Sequence, residues 1–312
     1  MTSPGPVDVT LPRSWGELVP ARTRVWIALS VLMLFAAYWA PIRYTLAGRW
    51  LTDGNWSHGW LIPLFSLYFV STKRDELARC RTRPTWWGAV IVALSLAVYF
   101  YSAWRLRMSY PQALSVVGAV FGLVLAFGGW SLIRVLWFPI LFLVLAVPLP
   151  LTIYVDLTMP QQKLVSAVAA AVMPLVTPGL ITEPQAVVID YVMPGSPPGS
   201  LNVEEACSGM RSTMAIVTLG VALAYLGNRP TWQRLTMVVL CVPIAMFCNA
   251  IRVTITGLLY VNGYPDLAKG TAHQVLGIAM FAVALGLFAL VGTVLNRLFV
   301  DEPGGDAHPD PV

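Results

Sequence analysis

Long apolar segments are the feature that most constrains how this chain can fold. A bilayer core is about 30 Å thick, so a helix that crosses it needs about 20 mainly apolar residues. None of the apolar segments shows the period-2 alternation of a barrel strand, which favours an all-α polytopic membrane protein. We predict about eight transmembrane helices, near residues 25–42, 57–71, 86–104, 112–129, 135–152, 207–226, 235–260 and 273–299.

The composition agrees with this fold class and excludes several others. Of the 312 residues, 57% are hydrophobic and only 11% are charged, against roughly 25% charged in a soluble domain. A soluble enzyme, a disordered chain and a disulfide scaffold are therefore excluded. The net charge of +5 is assigned to membrane orientation, so we expect membrane lipids and no nucleic acid among the partners.

Basic residues predict how the chain is oriented in the membrane. With the N-terminus inside, twelve Lys and Arg residues fall in inner segments and six in outer loops, and five of the twelve lie within 73–83. Positive loops stay in the cytoplasm. We therefore expect a multi-pass protein of the bacterial inner membrane with both termini cytoplasmic.

The predicted organisation is a single transmembrane catalytic domain, residues 25–300, between cytoplasmic tails 1–24 and 301–312. Its largest outer segment is the loop 153–206. Within that loop, 157–176 is apolar but contains Pro160, Lys163 and Pro174, so we predict an interfacial or re-entrant helix; a third reading, that it spans the membrane, remains open. Residues 187–191 followed by Pro and Gly predict a short strand and turn.

Cys207 is the candidate nucleophile. It stands where an apolar run begins, and the free N–H groups at a helix N-terminus lower the pKa of a thiol. Arg211, four residues on, adds positive charge on the same face, whereas Glu204 and Glu205 act in the opposite direction. A structural role for a cysteine in this place is an equal alternative.

Arg252 lies inside an otherwise apolar predicted span. An intramembrane arginine costs several kcal/mol unless it faces a partner or a cavity, and it indicates function by default. Asn249 precedes it by three residues and so shares its helix face. The alternative is an arginine that reaches the outer headgroups.

His273 opens the last predicted span, again on the outer side. A cysteine nucleophile needs a base, usually histidine, and a donor for the oxyanion that forms on the attacked carbonyl. Cys207, Arg252 and His273 come from three successive helices near one membrane face. Together they are sufficient for acyl transfer from a peptide bond through a thioester.

Over about residues 53–275 the sequence resembles the exosortase/archaeosortase family. Three blocks carry the resemblance: the segment around the cysteine, the Asn-x-x-Arg pair and the histidine. A fourth block resembles the Ser-His-Gly motif near the N-terminus of that family. The matching residues here are Ser57, His58, Gly59, Glu205, Ala206, Cys207, Ser208, Gly209, Met210, Arg211, Asn249, Arg252 and His273.

The resemblance implies a membrane cysteine peptidase or transpeptidase without cofactor or metal. Cys207 would be the nucleophile, Arg252 the stabiliser of the transition state and His273 the acid/base. Substrates of the family are secreted proteins with a C-terminal motif such as Pro-Glu-Pro, a transmembrane helix and a basic cluster, passed to an acceptor that the sequence does not identify. Some members carry a further C-terminal domain, so we expect a separate exopolysaccharide-associated partner to fill that role.

Two other function classes are compatible with the residues. A transporter or flippase would use Arg252 and His273 and would need no cysteine. A non-catalytic factor for exopolysaccharide export would need none of the three. A metalloprotease is disfavoured because no H-E-x-x-H motif is present, and Ser208 as nucleophile would need stronger activation than a thiol.

Overall fold

The computed structural model describes residues 21–203, 209–227, 229–268 and 270–298. Within these ranges the chain is mostly helical with one small sheet. Its contacts divide it into two compact units, residues 1–151 and 152–312. The two units are described separately below, and the predicted division into one catalytic domain and two tails stays a prediction.

The described part of the first unit contains helices and turns but no strand. A π-helical segment (Pro41–Ala47) and a 3-10 helix (Gly54–Trp60) interrupt the α-helices near the N-terminal end. A further π-helical turn covers Ser102–Leu106. The α-helices are α1 (Ala21–Ala37), α2 (Gly48–Thr52), α3 (Leu61–Thr72), α4 (Arg74–Arg79), α5 (Trp86–Tyr101) and α6 (Ser109–Phe142), the last continued by a 3-10 turn Leu143–Ala146.

Helix α6 covers most of two predicted spans, 112–129 and 135–152, and is broken between them. The apolar run continues through Pro139, and the chain departs from helical geometry only at Gly129, where φ is 70°. A Cβ there would lie 2.1 Å from the carbonyl oxygen of Arg83. Arg83 N also donates to the carbonyl oxygen of Gly128. The 81–85 segment therefore packs against a break between two helical stretches, which lies where the sequence predicted one span to end; the second stretch ends at Phe142, before the predicted end at 152.

The predicted number of spans is not confirmed. In the described ranges, four helical segments are long and apolar enough to cross a membrane, or five if α1 and the 41–52 segment, bent by 70°, form one span. Helix α3 has 12 residues, too few for the predicted span 57–71, because the chain before it forms a 3-10 helix. The four segments are Trp86–Leu106, Ser109–Ala146, Thr231–Val261 and Ala272–Arg297.

The second unit combines helices with the sheet. Its helices are α7 (Leu151–Val176), α8 (Gly209–Leu226), α9 (Thr231–Val261), α10 (Pro265–Ala268) and α11 (Gly270–Leu298). Helix α7 covers the predicted 157–176 helix and starts six residues earlier, so the span predicted to end at 152 is wrong at that end. Its position relative to the membrane stays a prediction.

The sheet confirms the predicted strand and extends it. Strands β1 (Ile181–Gln185), β2 (Val188–Val192) and β3 (Gly199–Asn202) pair antiparallel in that order, with Ile189 opposite Pro184 on one side and Leu201 on the other. Sequence patterning identified only β2, because β1 contains a proline and β3 a glycine, which disfavour strands.

One face of the sheet packs on helices α7 and α9. Ile189, Leu201 and Val203 form a buried cluster with Val165 of α7 and Val253 of α9. The hydroxyl of Thr182 donates to the carbonyl oxygen of Ala170, which fixes β1 on α7. The sheet is therefore held beside the part of α9 that carries Arg252.

Helices α8, α9 and α11 share a second core. It includes Ile216, Cys241, Cys248, Ala284 and Phe288. A Cβ on Gly220 of α8 would come within 2.1 Å of the Sγ of Cys241, so the absence of a side chain permits this close approach. Both cysteines serve here as small packing residues.

Candidate active site

Arg252 and His273 meet in the second unit. Arg252 is on α9 with only 8% of its surface exposed, and His273 is in the first turn of α11. The Nη2 atom of Arg252 lies 2.5 Å from the Nε2 atom of His273. The tight turn at Gly263 and the short helix α10 return the chain to α9 and bring the two residues together. The predicted pair is thus in hydrogen-bonding contact.

The cation of Arg252 has no carboxylate partner among the described residues. Ion pairs found in those ranges, Arg49–Asp53 and Lys73–Glu76, lie in the first unit. The Nε atom of Arg252 is buried and makes no hydrogen bond to a described residue. Burying an arginine in an apolar helix costs several kcal/mol unless it faces a partner or a cavity.

Asn249 lies beside Arg252 as the i, i+3 spacing predicted. Its side chain is 7% exposed, and its Oδ1 atom has no hydrogen-bond partner within the described ranges. Asn249 and Arg252 border a cavity of about 10 Å³, roughly the room that one water molecule needs. The other lining residues are Ser212, Ile216, Ala245, Cys248, Gly277, Met280 and Phe281.

Among the lining residues that were not predicted, two bear on the chemistry of the cavity. Ser212 is on α8, five residues after Cys207, and Gly277 is on α11, four residues after His273. A Cβ on Gly277 would lie 3.5 Å from the Cζ of Arg252, which means that the guanidinium rests against this glycine. The i, i+4 spacing from His273 to Gly277 places both on one helix face and could have indicated its role.

The proposed nucleophile lies outside the described residues. Cys207, Glu205 and Ser208 belong to the 204–208 gap between Val203, which is buried against Val253, and Gly209, which begins α8. Arg211, in the first turn of α8, has an exposed side chain. Helix α8 leads from this gap to Ser212 beside Arg252.

Ser57 and His58 belong to the first unit. The hydroxyl of Ser57 is bonded to the carbonyl oxygen of Gly54 at 2.9 Å, so Ser57 closes the 3-10 turn rather than pointing to a reactive centre. His58 is 9% exposed, and neither ring nitrogen has a hydrogen-bond partner among the described residues. Burial lowers the pKa of His58 below its usual value of 6.5.

The described residues hold no group of three His, Cys, Asp or Glu side chains that could bind a metal ion. The chemistry available at Arg252 is that of a fixed donor of hydrogen bonds to negative charge, next to a group that can exchange a proton.

A polytopic membrane protein in which a buried arginine contacts a histidine is the class that fold and site define. A family model described as transmembrane exosortase matches residues 50–290, more than three quarters of the chain. The chain therefore belongs to the transmembrane exosortase family. No curated protein and no solved structure matches it.

Proposed function

We propose that this protein is a membrane-embedded cysteine transpeptidase that cleaves the C-terminal sorting signal of secreted proteins. The observation that carries the proposal is the contact between Arg252 and His273, two residues 21 positions apart on separate helices. Family membership supports the same reading, because the match includes the positions of Cys207, Arg252 and His273.

The reaction would proceed through a thioester. The thiolate of Cys207 attacks the carbonyl carbon of the scissile peptide bond, and Arg252 donates hydrogen bonds to the oxyanion that forms. His273 takes the thiol proton and later delivers it to the leaving amine. An amine acceptor or water then resolves the thioester.

The chain connectivity supports Cys207 as the nucleophile. It follows Val203 by four residues and precedes Ser212 by five, and both of these residues contact the part of α9 that holds Arg252. An extended chain gains at most about 3.6 Å per residue. These short segments allow Cys207 to reach the Arg–His pair, which supports the proposal.

The substrate class follows from the family and the membrane setting. A substrate anchored by its own transmembrane helix diffuses in two dimensions to a site at the outer face of the inner membrane. The orientation with both termini in the cytoplasm, set by the basic loops, would put Arg252 and His273 on that outer side. The sheet and α7, which pack against α9 beside Arg252, would hold the extended motif.

The test compares Cys207→Ser with Cys80→Ser in the full-length protein. Cys80 carries the same substitution in the 73–83 loop, where its Sγ lies 3.7 Å from the carbonyl oxygen of Ser131. Cleavage of a secreted protein with a motif, a transmembrane helix and a basic cluster is followed on a gel. We expect Cys207→Ser to leave the substrate uncleaved and Cys80→Ser to process it normally.

A transporter or flippase remains the alternative, because a buried arginine that has no carboxylate partner within the described ranges also suits an anionic cargo. That function would tolerate Cys207→Ser. A non-catalytic export factor would in addition tolerate Arg252→Ala and His273→Ala. Normal processing by all three variants would overturn the cysteine mechanism.

A further inference from the structure

The contact between Arg252 and His273 fixes where the histidine proton is. A guanidinium carries five N–H donors and no acceptor. The Nη2 atom of Arg252 therefore donates, and the Nε2 atom of His273 accepts with its lone pair. A neutral imidazole has one N–H, so the proton of His273 is on Nδ1. An imidazolium, with N–H on both nitrogens, is incompatible with this contact.

In this state His273 has no lone pair available for a second proton. Nε2 is occupied by Arg252, and Nδ1 already carries its hydrogen. Nδ1 is buried, with no partner among the described residues. A general base must accept a proton, and the imidazole of His273 in this arrangement is unable to do so.

We infer that the Arg252–His273 contact is the resting state of the site, in which Arg252 withholds the base until a substrate carbonyl oxygen takes over its hydrogen bond. The inference rests on the proposed function and adds the order of events. Arg252 acts first as a cap on His273 and then as the oxyanion donor. Thiolate formation is thereby coupled to substrate binding.

The site contains the features that such an exchange needs. Arg252 has no carboxylate partner among the described residues, and its Nε–H makes no hydrogen bond within them, so the resting contact leaves donors of the guanidinium unused. The resting bond joins a cation to a neutral imidazole, whereas a bond to the oxyanion adds the attraction between two opposite charges. Gly277 and the small cavity at Asn249 leave the guanidinium without a bulky side chain on those sides.

The proton balance of the exchange is complete. When Arg252 moves to the substrate oxygen, Nε2 of His273 accepts the proton from the Sγ–H bond of Cys207, and that bonding pair stays on sulfur. The sulfur then bonds to the carbonyl carbon while the oxygen gains the electron pair. When the C–N bond breaks, the leaving nitrogen takes the proton back from Nε2, and His273 returns to the neutral form that Arg252 can cap.

The test measures alkylation of Cys207 in the full-length protein in detergent, without substrate, with Cys80 in the same sample as internal reference. Arg252→Met removes the cap and exposes Nε2. A fall of one unit in the thiol pKa raises the thiolate fraction about tenfold and lowers its nucleophilicity about threefold, so we expect alkylation about threefold faster than in the wild type. The double variant Arg252→Met/His273→Ala should lose this gain.

If Arg252 acted on Cys207 only through its positive charge, Arg252→Met would slow alkylation. The capping role predicts faster alkylation, so the direction of the change distinguishes the two. Arg211→Met removes a cation four residues from Cys207 without touching His273, and we expect it to slow alkylation. If Arg252→Met also slows alkylation or leaves the rate unchanged, the capping role is overturned.

A second measurement does not depend on the Arg252 variants. Nitrogen NMR of the wild-type protein labelled at histidine, with His273 assigned by its absence in His273→Gln, reports the tautomer. We expect N–H at Nδ1; N–H at Nε2 in the resting protein would overturn the inference. Processing by Cys207→Ser would instead remove the proposed function and leave this tautomer result standing.

Discussion

Two histidines with different surroundings distinguish the two units. His58 is buried and packs beside Trp56, with ring centroids 6.0 Å apart, in a segment where the rings of Trp50 and Trp60 also meet. His273 is half-buried and faces the guanidinium of Arg252. Burial in an aromatic setting keeps an imidazole neutral, whereas the protonation state of His273 can change if Arg252 moves to a substrate. We therefore expect packing from His58 and, under the proposed function, proton transfer from His273.

The largest effect is expected from the histidines themselves. His273→Gln should lower the rate of substrate cleavage by about 10²- to 10⁴-fold, the usual contribution of a general acid–base. His58→Gln should lower it far less, because the Gln amide fits a packed site that has no proton to transfer. Cleavage rates are compared at equal amounts of folded protein, judged by monodisperse elution in detergent. Equal losses in the two variants would break the distinction.

The next prediction compares a buried arginine, Arg252, with an exposed one, Arg49. Arg252→Ala should lower the cleavage rate by about 10²- to 10³-fold, the typical cost of one oxyanion donor. The matched change Arg49→Ala removes an exposed ion pair in which Nη1 lies 3.4 Å from the Oδ2 of Asp53, and exposed pairs contribute about 0–1 kcal/mol. Turnover by Arg49→Ala should stay within about threefold of wild type. A similar fall in both would point to general destabilisation.

A steric prediction tests the aromatic setting of His58. A Cβ on Gly59 would come within 2.2 Å of the Nε1 of Trp50, the atom that donates to the carbonyl oxygen of Ala146 at 2.9 Å. Gly59→Ala should therefore lower the free energy of unfolding by about 1–3 kcal/mol, as overpacking usually does. Thermal unfolding in detergent measures the change.

The control for that change is Gly286→Ala in α11, where a Cβ would meet nothing within 4 Å. Alanine at an open helix position should leave stability unchanged or raise it slightly. If Gly59→Ala unfolds at the same temperature as Gly286→Ala, the indole of Trp50 is not tightly held against Gly59.

The sequence predicted which residues of the second unit lie together better than it predicted the spans of the first. Arg252 could be singled out because a charge in an apolar run is costly, and Asn249 followed from helix spacing. Span prediction failed where hydropathy does not report backbone geometry. Hydropathy does not register the 3-10 helix at 54–60, in which the side chain of Asp53 accepts a hydrogen bond from Asn55 N. It also does not show that Arg83, from a distant segment, packs against the break at Gly129.

The Ser-His-Gly block shows why a motif does not reveal the role of each member. Ser57 bonds within its own turn, Gly59 makes room for an indole ring, and only His58 has polar atoms without a described partner. Those roles depend on Trp50 and Ala146, which are distant in sequence. Sequence spacing alone therefore could not assign them.

The smallest predicted effect is a pH dependence of stability at His58, which lies outside the helices long enough to cross a membrane. Burial lowers its pKa below 6.5, so as the pH falls through about 6.5 the unfolded chain binds a proton that the folded chain does not. The stability is full above that pH and declines below it, by at most about 1.4 kcal/mol per pH unit. Thermal unfolding between about pH 7.5 and 5.5, one unit either side of the usual histidine pKa, should show a smaller decline in His58→Gln than in wild type. Parallel curves would mean that His58 is protonated equally in both states, and the contrast with His273 would then rest on the cation of Arg252 alone.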